Sequence, residues 1–290
     1  MAGKGNQVGV RMKVVAILAI RNEALYLQRC LSHLREQNVE VAIIDNESTD
    51  ETLEIARQNV GHGVIHLETY PYPGHYDWQG LLRRKEELAG SLGADWYIHH
   101  DADEIRQAPA PYADLRTALE VVDASGHNAV DFAEFVFVPT SAEARFEHTD
   151  YVRLMRHYYY FQPRPLHRVN AWKNTGNKVD LASSGGHSVF FLGRKIFPAK
   201  FVLRHYIILS AEHARQKYGS RLFSRAEVED LGWHGWRVKG LHGALLLPER
   251  WRMKALTKSG EWDTSAPFSE HAFFGEGDDR PSGCNVVGMN

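Results

Sequence analysis

The sequence predicts an α/β fold, a Rossmann-like mixed, mainly parallel sheet flanked by helices. Through residues 14–100, apolar runs of strand length alternate with amphipathic segments of helix length. The first run, 14–20, is apolar at every position, which is typical of a strand covered on both faces. Regular alternation of strand and helix predicts parallel strands joined by right-handed crossovers.

The N-terminal half contains four predicted strands, at 14–20, 39–44, 64–67 and from 96 onward. The first helix is predicted to begin after Asn22 as its N-cap and to run to about residue 37. Ser48 and Glu51 match a capping box for the second helix. A third helix is predicted over 78–92, since its leucines recur on one side.

The C-terminal half is less regular. A helix is predicted over 112–124 and a long strand over 129–138, in which Glu134 lies on an otherwise apolar face. Short strands are expected at 169–173, 188–192 and 201–209. A charged helix should follow from Ser210 to about residue 230.

Composition excludes several classes of protein. The net charge is -2 and no basic block is present, so no nucleic-acid partner is expected. Two cysteines, Cys30 and Cys284, are too few for a disulfide framework or a zinc site. We expect no transmembrane segment and a cytoplasmic protein, with Met12 as a candidate natural start. A peripheral membrane contact through the aromatic, basic section 151–168 is left open.

Carboxylates follow two of the predicted strands. Asp101, Asp103 and Glu104 come after the fourth strand, and Asp45 after the second. The carboxyl ends of parallel strands meet at one edge of a sheet, where ligands bind. Clustered carboxylates repel one another unless a cation is present, and Mg²⁺ or Mn²⁺ suits oxygen ligands. A solvated acidic turn is the alternative, but the position after a buried strand favours a metal site.

Three motifs resemble those of a known enzyme family. Asp101-Ala102-Asp103 resembles the Asp-x-Asp motif of A-type nucleotide-sugar glycosyltransferases. Residues 19–23, Ala-Ile-Arg-Asn-Glu, and 45–50, Asp-Asn-Glu-Ser-Thr-Asp, are similar to the first and second strand ends of family 2 glycosyltransferases. The resemblance implies the A-type glycosyltransferase fold and a metal-dependent, inverting transfer of a sugar from a nucleotide-sugar donor to a hydroxyl acceptor.

The resemblance also implies roles for the donor-binding and metal-binding residues. Asp45 would contact the base, and Glu23 and the backbone near Ile20 would hold the nucleoside. Arg21 stands where the family often has an aromatic residue. Asp101 would approach the ribose or the metal, and Asp103 would bind the metal.

The other candidates have a structural alternative of similar weight. His205 is a possible third metal ligand, since related enzymes place a histidine there, or it is simply a packed histidine. Arg84 could reach the nucleotide or lie on a solvated helix face. The general base that inversion needs is expected at His187 or, second, at Glu134, because a carboxylate on an apolar face is costly unless it is paired or useful.

On this interpretation residues 13–140 bind the nucleotide sugar, 141–260 form the acceptor-binding half of the same catalytic domain, and 261–290 are a polar tail. A sugar-phosphate nucleotidyltransferase is the first competing function, but residues 19–23 lack the Gly-rich loop such enzymes usually carry. A non-catalytic nucleotide- or carbohydrate-binding protein is the second, and turnover separates it from an enzyme. The sequence identifies neither the sugar, nor the nucleotide, nor the acceptor.

Overall fold

A single mixed sheet organises the protein. The computed structural model describes residues 11–141, 144–219, 221–233, 247–257 and 260–271. The strands within these ranges are β1 Val14–Ile20, β2 Glu40–Asp45, β3 Val64–Thr69, β4 Trp96–His100, β5 Glu104–Gln107, β6 Ala129–Phe137, β7 His157–Phe161, β8 Val169–Lys173, β9 Phe201–His205 and β10 Lys254–Ala255.

Helices lie between the strands and cover the sheet. They are α1 Ala24–Glu36, α2 Thr52–Gln58, α3 Trp78–Ser91, α4 Leu115–Ala124, α5 Tyr151–Leu154, α6 Ala211–Gly219 and α7 Arg225–Glu229. The buried residues of α3 lie on one side, as the predicted leucine spacing requires.

The sheet has the order β10-β7-β6-β8-β4-β1-β2-β3, and β3, β2, β1 and β4 are parallel to one another. Beyond β4 the pairings of β8 with β4 and with β6 are antiparallel. Side chains of β1 alternate between two cores: Leu18 lies in one hydrophobic cluster and Ile17 in the other. The predicted class, a mixed, mainly parallel α/β sheet flanked by helices, is confirmed.

A side branch of the sheet joins distant parts of the chain. After β4, the short connection 101–103 leads into β5, which pairs antiparallel with β9. Strand β9 also pairs parallel with β6. In this register His205 lies opposite Glu104, and the Tyr206 amide donates to the Asp103 carbonyl over 2.8 Å. The pairing therefore carries His205 to the carboxyl end of β4.

The caps predicted for α1 and α2 are wrong. Helix α1 begins at Ala24, and Asn22 has a φ of 55° with its Oδ1 accepting from the Thr49 amide at 2.8 Å. Thr52 Oγ1 and Asp50 Oδ2 instead accept from the Glu23 and Ala24 amides. The capping box of Ser48 and Glu51 does not form either, since the N-cap residue Glu51 makes no side-chain cap hydrogen bond. Asp50 of the second motif and Thr52 just after it thus cap α1, the helix that follows the first motif.

Other differences lie in the C-terminal half. No strand covers 188–192, and the charged helix is divided into α6 and α7. The described start of the expected polar tail is packed: Trp262 stacks on Phe135 with ring centroids 4.4 Å apart, and the Phe268 amide donates to the Tyr160 carbonyl at 2.8 Å. The rest of that tail, including Cys284, lies outside the described residues.

The aromatic residues of β7, in the section considered for membrane contact, are internal. Tyr158, Tyr159 and Tyr160 are buried in β7, so these rings are not available to a membrane surface. Over the described ranges, no helix is both long enough and apolar enough to span a bilayer.

A buried ion pair fixes the start of the side branch. The Arg106 guanidinium is fully buried, donates to Glu104 Oε2 at 2.7 Å and to Asn170 Oδ1 at 3.2 Å, and lies over the Phe132 ring at 4.4 Å. The same Glu104 oxygen accepts from the Asp101 amide at 3.1 Å. Glu104 therefore ties β5 to the connection that carries the Asp-x-Asp residues, and it has no other described cationic partner this close.

Replacing Arg106 by Met should lower the free energy of unfolding by about 3–5 kcal/mol, because Glu104 is left as a buried, uncompensated charge. Urea denaturation measures this change. The double variant Arg106→Met with Glu104→Gln should recover a substantial part of the loss. Equal destabilisation of the single and double variants would show that packing, not charge, holds this segment.

Candidate active site

Two adjoining cavities open at the carboxyl ends of β1 and β4. The inner one, here called the carboxylate cavity, has a volume of about 320 Å³. Its titratable lining residues include Glu23, His99, Asp101, Asp103, Arg168, His187, His205, Lys217 and Arg221. The outer cavity measures about 1060 Å³ and lies beside Arg21 and the start of α1. Both cavities are lined by Glu23, Tyr76, Lys217 and Arg221, which form the wall between them.

Asp103 is a buried carboxylate held between two cationic side chains. Its Oδ2 accepts from Lys217 Nζ at 2.8 Å, and its Oδ1 lies 3.5 Å from His205 Nε2. Burial by itself would raise the pKa of Asp103, but Lys217 and His205 outweigh it and hold that pKa well below its usual range. Asp103 is therefore ionised at any physiological pH.

His205 is oriented by a carboxylate behind it. Its Nδ1–H donates to Glu134 Oε1 at 2.6 Å, because an ionised carboxylate can only accept. Burial lowers the pKa of His205, but Asp103 and Glu134 together raise it to about 9. The ring therefore presents Nε2 to Asp103 and to the cavity. A histidine backed in this way by a carboxylate is the usual arrangement at a metal ligand.

Glu134 is fully engaged and does not suit the role of general base. Arg168 donates to both of its oxygens, at 2.7 and 2.9 Å, and His167 Nε2 lies 3.3 Å from Oε2. Burial would raise the pKa of Glu134, but Arg168, His167 and His205 hold it well below the usual value. It is also absent from the cavity lining. The geometry corrects the prediction, since Glu134 holds His205 and has no free oxygen to accept a proton.

Asp101 lies at the mouth of the carboxylate cavity, separate from the other two candidate ligands. Its Oδ1 is 3.7 Å from Lys85 Nζ, a lysine that is 1% exposed. Lys85 also donates to His99 Nδ1 at 3.0 Å and to the His100 carbonyl at 3.1 Å. Burial is the main reason that the pKa of Lys85 falls to about 8. Through these contacts, the buried Lys85 holds the C-terminal end of β4 in place.

His187 lines the same cavity and has a free nitrogen. It stacks on His167 with ring centroids 4.9 Å apart, and its buried Nδ1 has no hydrogen-bond partner among the described residues. Burial, reinforced by Arg168 and His167, holds the pKa of His187 well below 6.5. The imidazole is therefore neutral at pH 7 and able to accept a proton.

Of the other predicted donor-binding residues, Arg21 lines the outer cavity, whereas Asp45 and Ile20 are buried and line neither cavity. Asp45 is fully buried, its Oδ2 accepts from the Ser48 amide at 3.1 Å, and its Oδ1 has no partner in the described part of the chain. The Ile20 carbonyl is taken by the Asn46 amide at 2.8 Å. Arg21 lies 3.5 Å over the Tyr72 ring and donates to the Asn46 and Glu47 carbonyls. An arginine and an aromatic ring therefore stack where the family often has an aromatic residue alone.

Arg84 is not part of the site. Its guanidinium donates to both oxygens of Glu68, at 2.7 and 2.8 Å, and to Glu87 at 2.7 Å. It lines neither of the two cavities. The prediction that Arg84 reaches the nucleotide is not supported, and the solvated helix face is the better description.

Several residues of the site were not singled out from the sequence. Lys217 and Arg221 come from α6 and the segment after it, Arg168 immediately precedes β8, and His271 comes from the last described segment of the chain. His213 and Lys217, four positions apart, share a face of α6, and this spacing is the one signal for Lys217; Arg221 lies beyond the end of that helix.

The described side chains provide only part of a site for a divalent cation. In the described ranges, no group of three or more histidine, cysteine, aspartate or glutamate side chains is arranged to hold an ion. The three-ligand site predicted from Asp101, Asp103 and His205 is therefore not assembled, because Asp101 pairs with Lys85. Asp103 and His205 do form a carboxylate and imidazole pair with Glu134 behind it, which fits Mg²⁺ or Mn²⁺ as a partial ligand set.

Comparisons with known proteins match parts of the chain. An uncharacterized glycosyltransferase of Rickettsia felis is 33% identical over 92 residues, which are 32% of this chain and 29% of the relative. A TPR repeat-containing protein of Synechococcus elongatus is 27% identical over 179 residues, 57% of this chain and 41% of its own. The chain thus spans less than half of the length of each of these relatives.

Among solved structures, TarS of S. aureus, residues 1–349, in complex with UDP aligns with a TM-score of 0.42 and 13% identity. The alignment covers 72% of this chain and 65% of that one.

A family match covers the start of the chain. Residues 15–69 match the family described as glycosyl transferase family 2. This segment contains the first two motifs, from the end of β1 to the loop after β2, and it contributes Glu23 to both cavities. The resemblance to family 2 glycosyltransferases that the sequence predicts is therefore confirmed by residues 15–69.

Proposed function

We propose that the protein transfers a sugar from a nucleotide-sugar donor to a hydroxyl acceptor, with inversion, in a reaction that depends on Mg²⁺ or Mn²⁺. The observation that carries the proposal is the relay of Asp103, His205 and Glu134. It faces a cavity at the carboxyl edge of the sheet, next to Glu23 of the family 2 segment.

The nucleoside belongs in the outer cavity. This cavity runs along the loop after β1, where Arg21, Glu23 and Tyr72 lie, and its volume of about 1060 Å³ leaves ample room for a nucleoside. Asp45 lies under the same loops and keeps one acceptor oxygen without a described partner. That oxygen is suited to accept a hydrogen bond from an N–H of the base.

The cation would be held by Asp103 and His205. When bound, it supplies neutralisation of the charge that develops on the leaving nucleoside diphosphate. Glu134 keeps Nδ1 of His205 protonated, so that Nε2 faces the ligand position. Asp101 borders the same cavity and is available to the ribose or the metal, as the family resemblance implies.

The acceptor hydroxyl would lose its proton to His187. This side chain is neutral and borders the carboxylate cavity. Attack on the anomeric carbon from the face opposite the diphosphate then gives inversion. Trp233 and His271 complete the wall on this side, where an acceptor ring can stack.

Donor binding should depend on the metal and on the relay. In a thermal-shift screen of UDP-, GDP- and dTDP-sugars, at least one donor should raise the melting temperature with Mn²⁺ present and less without it. Asp103→Asn should abolish the metal-dependent part of the shift. Glu134→Gln should weaken metal affinity about 10–100-fold, because His205 loses its charged acceptor.

Arg84→Gln is the matched control, since Arg84 lines neither cavity, and it should leave the shift unchanged. The absence of any metal-dependent shift with all three donor classes would contradict the proposal. A metal-dependent shift that Asp103→Asn retains would instead show that the metal binds elsewhere.

The pH dependence of kcat/KM should reflect the protonation of His187. A base must be neutral to accept a proton, so activity falls as pH drops through its pKa. Since that pKa lies well below 6.5, kcat/KM should hold its full value from neutral pH to below pH 6.5. His187→Ala should lower kcat by roughly 10²–10⁴-fold and remove the acid limb.

His62→Ala, at an exposed turn, is the control for losing a histidine. A kcat for His187→Ala close to that of the unmodified enzyme would assign the base to another group.

A further inference from the structure

Lys217 forms a bridge between the two carboxylates of the site. Its Nζ lies 2.8 Å from Asp103 Oδ2 and 3.4 Å from Glu23 Oε2, and its side chain is only 6% exposed. Arg221 lies 3.4 Å from the other oxygen of Glu23. The Lys217 ammonium also lies 4.8 Å from the centre of the Tyr26 ring. This lysine is therefore a fixed part of the wall between the two cavities.

The bridge conflicts with metal binding. The same Asp103 carboxylate that accepts from Lys217 is the oxygen donor that the cation needs. A divalent cation at Asp103 and His205 would lie within a few ångströms of the ammonium, and like charges this close repel strongly at a buried site. The Lys217 ammonium also neutralises part of the negative charge that would attract the metal. With Lys217 on Asp103, the affinity of the site for a cation is lowered.

A diphosphate resolves the conflict. Its oxygens are acceptors that can replace Asp103 as the partner of the Lys217 ammonium, and charge-assisted bonds to phosphate are strong. Arg221 is on the same wall, and its guanidinium can engage the same group in two-point contact. Movement of Lys217 from Asp103 to the diphosphate frees the carboxylate at the moment when the metal is required.

We propose that Lys217 and Arg221 bind the diphosphate of the donor, and that Lys217 occupies the metal-binding carboxylate of Asp103 until the donor arrives. This inference rests on the proposed function and adds to it the order in which the donor and the cation bind. The free enzyme binds the cation weakly, and donor and cation strengthen each other's binding. The coupling is reciprocal, as linkage requires.

The test is the affinity for Mn²⁺ alone. In a titration of the nucleotide-free enzyme followed by electron paramagnetic resonance, Lys217→Met should bind Mn²⁺ about tenfold more tightly than the unmodified enzyme, within the usual range of coupling. Lys217→Arg keeps the cation and should bind Mn²⁺ as weakly as the unmodified enzyme. Arg215→Met, on the same helix with a side chain 66% exposed, should change nothing.

A second measurement checks the diphosphate. Lys217→Met and Arg221→Met should each weaken metal-free binding of UDP, GDP or dTDP, whichever the unmodified enzyme binds, by about tenfold. If Lys217→Met does not fold, the charge-balanced pair Lys217→Met with Glu23→Gln replaces it in both titrations.

Equal Mn²⁺ affinity of Lys217→Met and the unmodified enzyme, including no binding by either, would overturn the inference. Failure of the proposed function has a different signature, in which no nucleoside diphosphate binds and no donor is turned over. The Mn²⁺ titration gives its result in either case.

Discussion

The burial of carboxylates at one edge of the sheet is the constraint on which the site depends. Four of them lie within reach of β4, β5 and β6 and are nearly excluded from solvent: Glu23, Asp103, Glu104 and Glu134. Burying a carboxylate is costly unless a cation or hydrogen bonds compensate it. Each of the four has a cationic partner, which lies two residues away for Glu104 and far away in the chain for the other three, so the fold and the charge pattern of the site are specified together.

The cations divide into two groups with different consequences. Arg106 and Arg168 hold Glu104 and Glu134, carboxylates that do not line the cavity, so they stabilise the framework. Lys217 and His205 face the cavity and share Asp103, and Lys217 occupies the carboxylate that a cation would need. The first group keeps the geometry rigid. The second group leaves one carboxylate, Asp103, whose partners can change. A site that must bind both a metal and a diphosphate requires such a carboxylate.

Much of the fold could be predicted from the sequence, because hydrophobic periodicity reports burial directly. The apolar runs of β1, β2 and β4 and the leucine spacing of α3 allowed the parallel half to be predicted. The helix caps could not, since Asn22 is held by Thr49 and α1 is capped by Thr52 and Asp50. Local capping rules do not include partners from another loop. The β5–β9 pairing likewise joins residues about a hundred positions apart, which no local pattern reports.

The site could be predicted only in part, for a similar reason. Asp101 and Asp103 are recognisable because they follow a buried strand, and Glu134 because it interrupts an apolar one. The role of Glu134 depends on Arg168 and His205, which are adjacent only in the folded chain. Lys217 looks in sequence like any lysine of a charged helix. Its burial against Asp103 is a tertiary fact, and so is its competition with a metal.

The most direct test of the account is a crystal structure with Mn²⁺ and the best-binding nucleoside diphosphate, using anomalous scattering to locate the manganese. The account predicts one peak at bonding distance from Asp103 and from Nε2 of His205, with Lys217 moved from Asp103 to the diphosphate. A nucleotide bound without manganese at this pair, or manganese bound while Lys217 stays on Asp103, would contradict it.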